Sequence, residues 1–190
     1  HISTALLYII IYIILQQGDK MKFKIQRQEI TKAVNIIKEA LPNKTVIESL
    51  KGIKIEASTD KIVFTASRQD VIITYTATTN FEVEVPGISI IPGSYLITII
   101  NKSEESLFEF TQDNGTTTVK TRKSKMNLVE YDTSSYPDVK FDLDKGNKIT
   151  VPVQILKDAY SQTKYSVAQN NLKPILTGLN FKFTTDGLTV

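Results

Sequence analysis

Lysines are the residues whose types and spacing could do chemistry in this chain. Lys32, Asn35 and Lys38 recur at helical spacing on the side away from an apolar stripe of Ile30, Val34 and Ile37. Lys157, Ser161 and Lys164 repeat the arrangement opposite Leu156 and Ala159. Ammonium groups on a helix face act on phosphate as point charges. Without arginine or interleaved aromatics, they suggest weak, sequence-independent contact with a polyanion and no reading of bases. A solvated helix face is the ordinary alternative for one such helix. Two helices sharing the bias favour a surface that faces a polyanion.

Other chemistries lack their residues. There is no cysteine, which excludes disulfides, thiolate metal sites and cysteine nucleophiles. The single histidine is His1, at the terminus, so the usual general acid–base group is missing from the body of the chain. No nucleophile elbow, phosphate-binding glycine loop, dinucleotide fingerprint or metal-ligand cluster appears. Glu104-Glu105 is the only adjacent acidic pair, and a loop suits it. The expectation is a non-catalytic protein without cofactor or metal.

The elements that would position the lysines can be read locally. MKFKIQ alternates as a strand does, and the Ile30/Val34/Ile37/Leu41 spacing predicts a helix stopped by Pro42. LKGIKIEA, KIVFTA and DVIITYTA read as strands separated by turn residues. ISIIPGSYLITIINK reads as a strand and then a helix carrying Tyr95, Leu96 and Ile99, with Pro92 in its first turn. Asp113-Asn114-Gly115 predicts a tight hairpin between LFEFTQ and TTTVKT. The fold class is α+β, with helices on one face of antiparallel sheet.

The chain also repeats itself. At a constant offset of 126 residues, Phe23, Ile30, Ala33, Lys38, Leu50 and Gly52 meet Ile149, Leu156, Ala159, Lys164, Leu176 and Gly178. The match runs without gaps from the first strand through LKGIKIEASTDKIVF and LTGLNFKFTTDGLTV. It implies two copies of one structural unit. IPGSYL, in the middle of the first copy (91–96), echoes VPVQIL at the opening of the second (151–156), as if each unit were built of two similar halves. Residues 131–147, polar and holding proline and glycine, read as the linker between copies. The domains expected are 21–143 and 147–190.

Charge follows the repeat. Residues 22–44 hold six basic against two acidic residues, and residues 147–190 hold five against two. Residues 45–100 hold four against six, and 101–146 seven against nine. The overall net charge of +3 is too mild to argue for nucleic acid by itself. Positive charge gathers on the strand-and-helix openings of both copies.

Residues 1–20 stand apart. Residues 5–15 form an unbroken apolar run, well short of the ~20 residues that span a bilayer. No basic residue precedes it, and Met21 opens the first ordinary protein sequence. We read residues 1–20 as a leader outside the fold. The alternative is a membrane-anchored or secreted β-rich binding module held by this run.

Taken in order, these motifs resemble the bacterial sliding clamp, the β subunit of DNA polymerase III. MKFKIQRQEITKAVNIIKEALPNKT is similar to that family's first strand, helix and following turn. VPGISIIPGSYL resembles the opening of its second helix, SKMNLVEYDTSSYPDV its Ser-x-Phe-x-Leu segment, and KPILTGLNFKFTTDGLTV its second-domain motif. The chain departs from the pattern with Glu48-Ser49-Leu50-Lys51-Gly52 in place of Pro-Ile-Leu-x-Gly, Met126 for Phe, and Lys44 and Lys173 for Arg.

The resemblance implies a non-catalytic processivity factor for DNA replication. In that family three like domains per chain close as a homodimer into a ring around double-stranded DNA, with helices lining the hole, in the cytoplasm. It assigns DNA contact by position to Lys44, Asn170 and Lys173; Lys32, Lys38, Lys157 and Lys164 join them on charge and helical phase only. DNA polymerase III and the clamp loader would bind a pocket whose sequence begins just past Val190. The resemblance therefore also implies a truncated form lacking that pocket and unable to support processive synthesis.

Overall fold

A computed structural model describes residues 20–68, 71–137, 149–168, 173–184 and 187–190. The apolar run at 5–15 and the centre of the expected linker lie outside these residues. By its contacts the chain divides into two units, His1–Asp138 and Val139–Val190.

In the first unit, Phe23 and Ile25 of β1 (Lys22–Gln26) point inward while Lys22 and Lys24 stay half-exposed, as two-residue periodicity requires. Helix α1 (Arg27–Ile37) buries Ile30, Ala33, Val34 and Ile37. It ends earlier than the apolar spacing predicts: residues 38–40 tighten into a 3₁₀ turn, and Leu41 is extended. Pro42 accounts for this, since its ring disfavours helical backbone in the residue before it. Strands β2 (Gly52–Ala57), β3 (Ile62–Arg68), β4 (Val71–Ala77) and β5 (Phe81–Val85) follow. The second half runs β6 (Gly87–Pro92), α2 (Gly93–Lys102), β7 (Leu107–Asp113), β8 (Thr116–Lys120) and β9 (Lys125–Val129).

Two antiparallel sheets result, ordered β5-β1-β7-β8-β9 and β4-β3-β2-β6. Each half sends its first strand into the sheet of the other: β1 pairs with β7, and β6 with β2. The expected echo between halves is therefore an exchange of strands. One apolar core joins both sheets and both helices, with Phe23 stacked on Phe110 at 4.6 Å. A polar cluster ties the sheets on one side. Gln112 donates to Glu130 at 2.8 Å and to the Ile88 carbonyl at 3.1 Å, Thr117 donates to the other Glu130 oxygen, and Ser89 meets Thr117.

Several expectations are corrected. Pro92 caps α2 from outside, with extended ψ of 114°, and still pairs with Gly52 as the end of β6. Of the three residues read as carried by α2, Leu96 and Ile99 are buried, with Gly93 and Ile100, while Tyr95 is 64% exposed. Sequence periodicity does not predict β5 and β9: one is five residues ending at Val85, just before Pro86, the other an edge strand with a single buried residue, Leu128. The start of the expected linker is packed onto the first unit. The Tyr131 amide donates to Ile90, Ser49 donates to the Ser135 carbonyl, and Tyr136 is buried with Leu50 and Ile90.

The second unit holds α3 (Val153–Thr163), 3₁₀ turns at 164–166 and 174–177, and the hairpin of β10 (Lys182–Thr184) with β11 (Gly187–Thr189). The 126-residue offset carries α1 onto α3 residue for residue, and the 3₁₀ turns at 38–40 and 48–51 onto those at 164–166 and 174–177. Unlike α1, α3 buries none of its side chains: Val153, Leu156 and Tyr160 are exposed.

Candidate nucleic-acid interface

The helices place their lysines by phase. Because Ile30, Ala33, Val34 and Ile37 of α1 face the core, Lys32, Asn35 and Lys38 are left in solvent. Lys38 is the residue that closes α1: its amide donates to Val34, and its ammonium donates to Asn35 Oδ1 at 3.5 Å. Lys164 closes α3 in the same way, its amide donating to Tyr160, with nearly equal backbone angles. A cation at a helix C-terminus is favoured by the macrodipole by about 0.3–1 kcal/mol, so this placement has a structural cause before any ligand is invoked. Lys102 ends α2 likewise; sequence reasoning missed it, although the echo between halves points to it.

Lys32 is partly engaged. Its Nζ lies 3.9 Å from Glu29, whose buried carboxylate accepts from the Tyr75 hydroxyl at 2.8 Å. Lys44 is exposed in the turn after α1. In the second unit Lys157 is exposed, and Lys164 lies 5.1 Å from the Tyr165 ring and 5.7 Å from that of Tyr160. Lys173 is exposed and caps the 174–177 turn, its carbonyl accepting from Leu176 at 2.9 Å. Asn170 lies outside the described residues. The structure groups Lys32, Lys38 and Lys44 along α1 and its turn; in the second unit Lys164 repeats Lys38 at the 126-residue offset, while Lys157 and Lys173 lie on α3 and before the 174–177 turn at positions the offset does not match.

The cations on the sheets behave differently. Lys22 and Lys24 of β1 are bridged to Glu84 and approach Glu109 and Glu82. Hydrogen bonds from these two lysines, Lys22 first, hold the Glu84 carboxyl below the usual carboxylate range. Lys51 pairs with Glu48, Lys54 with Glu56, and Arg122 and Lys123 with Glu105. Part of the positive count of residues 22–44 is thus cancelled on the sheet. Among the described residues Lys38, Lys44, Lys157, Lys164 and Lys173 form no ion pair. Lys61, Lys102 and Lys120 also form none, so position on the repeated helix-and-turn distinguishes the candidates, and pairing alone does not. Among the described residues there is no cluster of His, Asp and Glu able to hold a metal ion, and no helix long and apolar enough to cross a membrane.

Residues 21–140 match the family described as DNA polymerase III beta subunit, N-terminal domain. The chain belongs to this family. It is 30% identical over 169 residues to the beta sliding clamp of Bacillus subtilis, covering 85% of this chain and 44% of that protein. It is 31% identical over 176 residues to the beta sliding clamp of Halalkalibacterium halodurans, covering 89% and 46%. The chain therefore spans a little under half the length of these relatives. Among solved structures, the DNA polymerase sliding clamp of Bacillus subtilis superposes with a TM-score of 0.80 at 29% identity, covering 86% of this chain and 44% of that one. The beta subunit from Streptococcus pyogenes, at 24% identity and a TM-score of 0.79, shares the fold. The architecture is the α+β clamp fold of the family, and in the first unit the sheets back α1, which carries Lys32 and ends at Lys38.

Proposed function

We propose that this chain acts as part of a replicative sliding clamp, a non-catalytic processivity factor that holds duplex DNA through helix faces and turns. The observation that carries this is the repeat of one device in both units. Lys38 and Lys164 close α1 and α3 at the same offset; Lys44 and Lys173 lie in the segments that follow, at positions the offset does not match. Such cations give affinity without sequence preference, as a protein that travels along DNA needs. Residues 21–143 would form the first clamp domain and residues 147–190 the opening of the second. The relatives' names support a sliding clamp that works with DNA polymerase; the homodimeric ring, the cytoplasmic location and placement by a clamp loader are carried by the sequence resemblance alone.

Fluorescence anisotropy of the full chain on two unrelated labelled duplexes tests the DNA reading. Equal affinities on both, falling steeply with salt, are expected. A marked preference for one sequence, or binding insensitive to salt, would overturn it.

A further inference from the structure

Leu156, Ala159 and Tyr160 of α3 fall 126 residues after Ile30, Ala33 and Val34 of α1, and 60 residues after Leu96, Ile99 and Ile100 of α2. Those six side chains are buried in the core that joins the two halves of the first unit, where α1 lies against α2. On α3 the same positions are open: Leu156 and Tyr160 are exposed, Ala159 is half-buried, and exposed Ile155 stands where α1 has Glu29. The Thr163 hydroxyl at the end of this stripe donates to the Ala159 carbonyl at 2.7 Å and needs no outside partner. A second opening accompanies the first. A Cβ on Gly52 would strike Ile90 of β6, the strand sent over by the opposite half, at 2.5 Å. At its counterpart Gly178 a Cβ meets nothing within 4 Å. The β10–β11 sheet has only two strands, and Ile149 and Val151, counterparts of Phe23 and Ile25 in β1, belong to no strand.

We propose that two copies of this chain pair through their second units, each copy supplying the half that completes the other. The first unit shows the geometry, since its halves exchange first strands and bury α1 against α2. The open positions of α3 match both halves at once, so one copy takes the place of the first half and its partner that of the second. Such a surface is self-complementary and closes as a two-fold dimer. Carrying over the β2–β6 register sets Gly178 beside the partner's Pro152, Leu179 beside the partner's Val151, and Phe181 beside the partner's Ile149. Gly178 then does what Gly52 does, leaving room for a crossing strand. A unit this small needs disulfides, a metal or association to supplement its core. Cysteine is absent and no metal-holding cluster occurs among the described residues, which leaves association. The pairing stands independently of the DNA reading.

Light scattering after gel filtration, run on the full chain over a dilution series, tests the pairing. A concentration-dependent dimer is expected. Tyr160→Glu, which puts a charge on the stripe, and Gly178→Val, which fills the space left for the partner's strand, should each weaken it by about tenfold or more. Neither change strains the single chain, because Tyr160 is exposed and Gly178 has an ordinary extended φ of −113°. Far-ultraviolet circular dichroism of both variants should therefore match that of the wild-type chain. Tyr95→Glu, at an exposed position of α2 in the first unit, is the control and should keep the wild-type equilibrium. Because the chain has no cysteine, a disulfide can read the register. Chains carrying Val151→Cys mixed with chains carrying Leu179→Cys should join on mild oxidation. A chain without residues 1–20 should dimerise as the full chain does. A monomer at every concentration, or association lost with residues 1–20, would overturn the pairing. Association that Tyr160→Glu and Gly178→Val both leave unchanged would place the contact elsewhere on the chain and overturn it as well, without touching the DNA reading.

Discussion

The Tyr75 hydroxyl donates to a Glu29 carboxylate oxygen at 2.8 Å, joining β4 to the first turn of α1 across 46 residues of sequence. Glu29 is 5% exposed, and its one nearby cation, Lys32, stands at 3.9 Å. Burial first, and then this bond to Glu29, push the Tyr75 phenol above its ordinary value. A buried carboxylate deprived of a donor loses its compensation for desolvation. Tyr75→Phe is expected to lower stability by about 1–3 kcal/mol in urea unfolding. Glu29→Gln in the same background should recover part of that, since an amide costs less to bury than a charge. Equal stability of Tyr75→Phe and wild type would show that the bond contributes nothing.

Gly52 is held by crowding. A Cβ there would fall 2.5 Å from Ile90 Cγ2 and 2.9 Å from Tyr131 Cδ2. Both neighbours are constrained, because the Ile90 carbonyl accepts from the Tyr131 amide at 2.8 Å and Ile90 is fully buried. Overpacking of this kind costs about 1–3 kcal/mol. Gly52→Ala should lower the melting temperature, and the further change Ile90→Ala, which removes the Cγ2 methyl, should recover part of the loss relative to the sum of the two single variants. No recovery in the double variant would mean the strain lies elsewhere.

Tyr136 gives the first unit a sensitivity to alkali. Burial, and then the negative charge of Glu56, push its phenol up to about 12. The folded value lies above the unfolded one, so the folded state holds this proton more tightly. The stabilisation is fully present below about pH 10 and is lost as pH rises from there towards 12. Its size is on the order of 1–2 kcal/mol. Urea unfolding of wild type and Tyr136→Phe at pH 8 and pH 11 should show the gap shifting in favour of the phenylalanine variant at the higher pH. A gap independent of pH would remove Tyr136 as the cause.

These interactions mark where the sequence was legible. Local periodicity revealed α1, α2 and most strands, because the alternation of Phe23 and Ile25 with Lys22 and Lys24, and the spacing of Ile30, Ala33, Val34 and Ile37, reflect one-sided burial directly. The 126-residue offset was equally visible, since equivalent helices need equivalent apolar positions. The strand exchange between halves was not, for nothing local to β1 or β6 names a partner some 30 to 90 residues away. Tyr131 and Tyr136 sit among Asp, Ser and Pro, so their packing was hidden by a composition that reads as linker. At the candidate site, Lys32 and Lys38 followed from helical phase, whereas the bond from Tyr75 to Glu29, which stands 3.9 Å from Lys32, depended on a long-range approach of β4 to α1.

Lys38 separates a structural role from a binding one. It closes α1, where a cation meets the partial negative charge of the last carbonyls, and it is exposed without an ion pair among the described residues. Lys38→Ala should lower stability by at most about 0.5 kcal/mol, and Lys38→Glu by about 0.5–1 kcal/mol, as the charge opposing the dipole reverses. If Lys38 also meets a backbone phosphate, Lys38→Ala should reduce the salt slope of duplex binding by about 0.9 on any sequence. The two effects are read by different instruments, melting for one and anisotropy across a salt series for the other. Loss of stability with an unchanged salt slope would leave Lys38 as a helix cap and move the DNA contact of the first unit to the turn at Lys44.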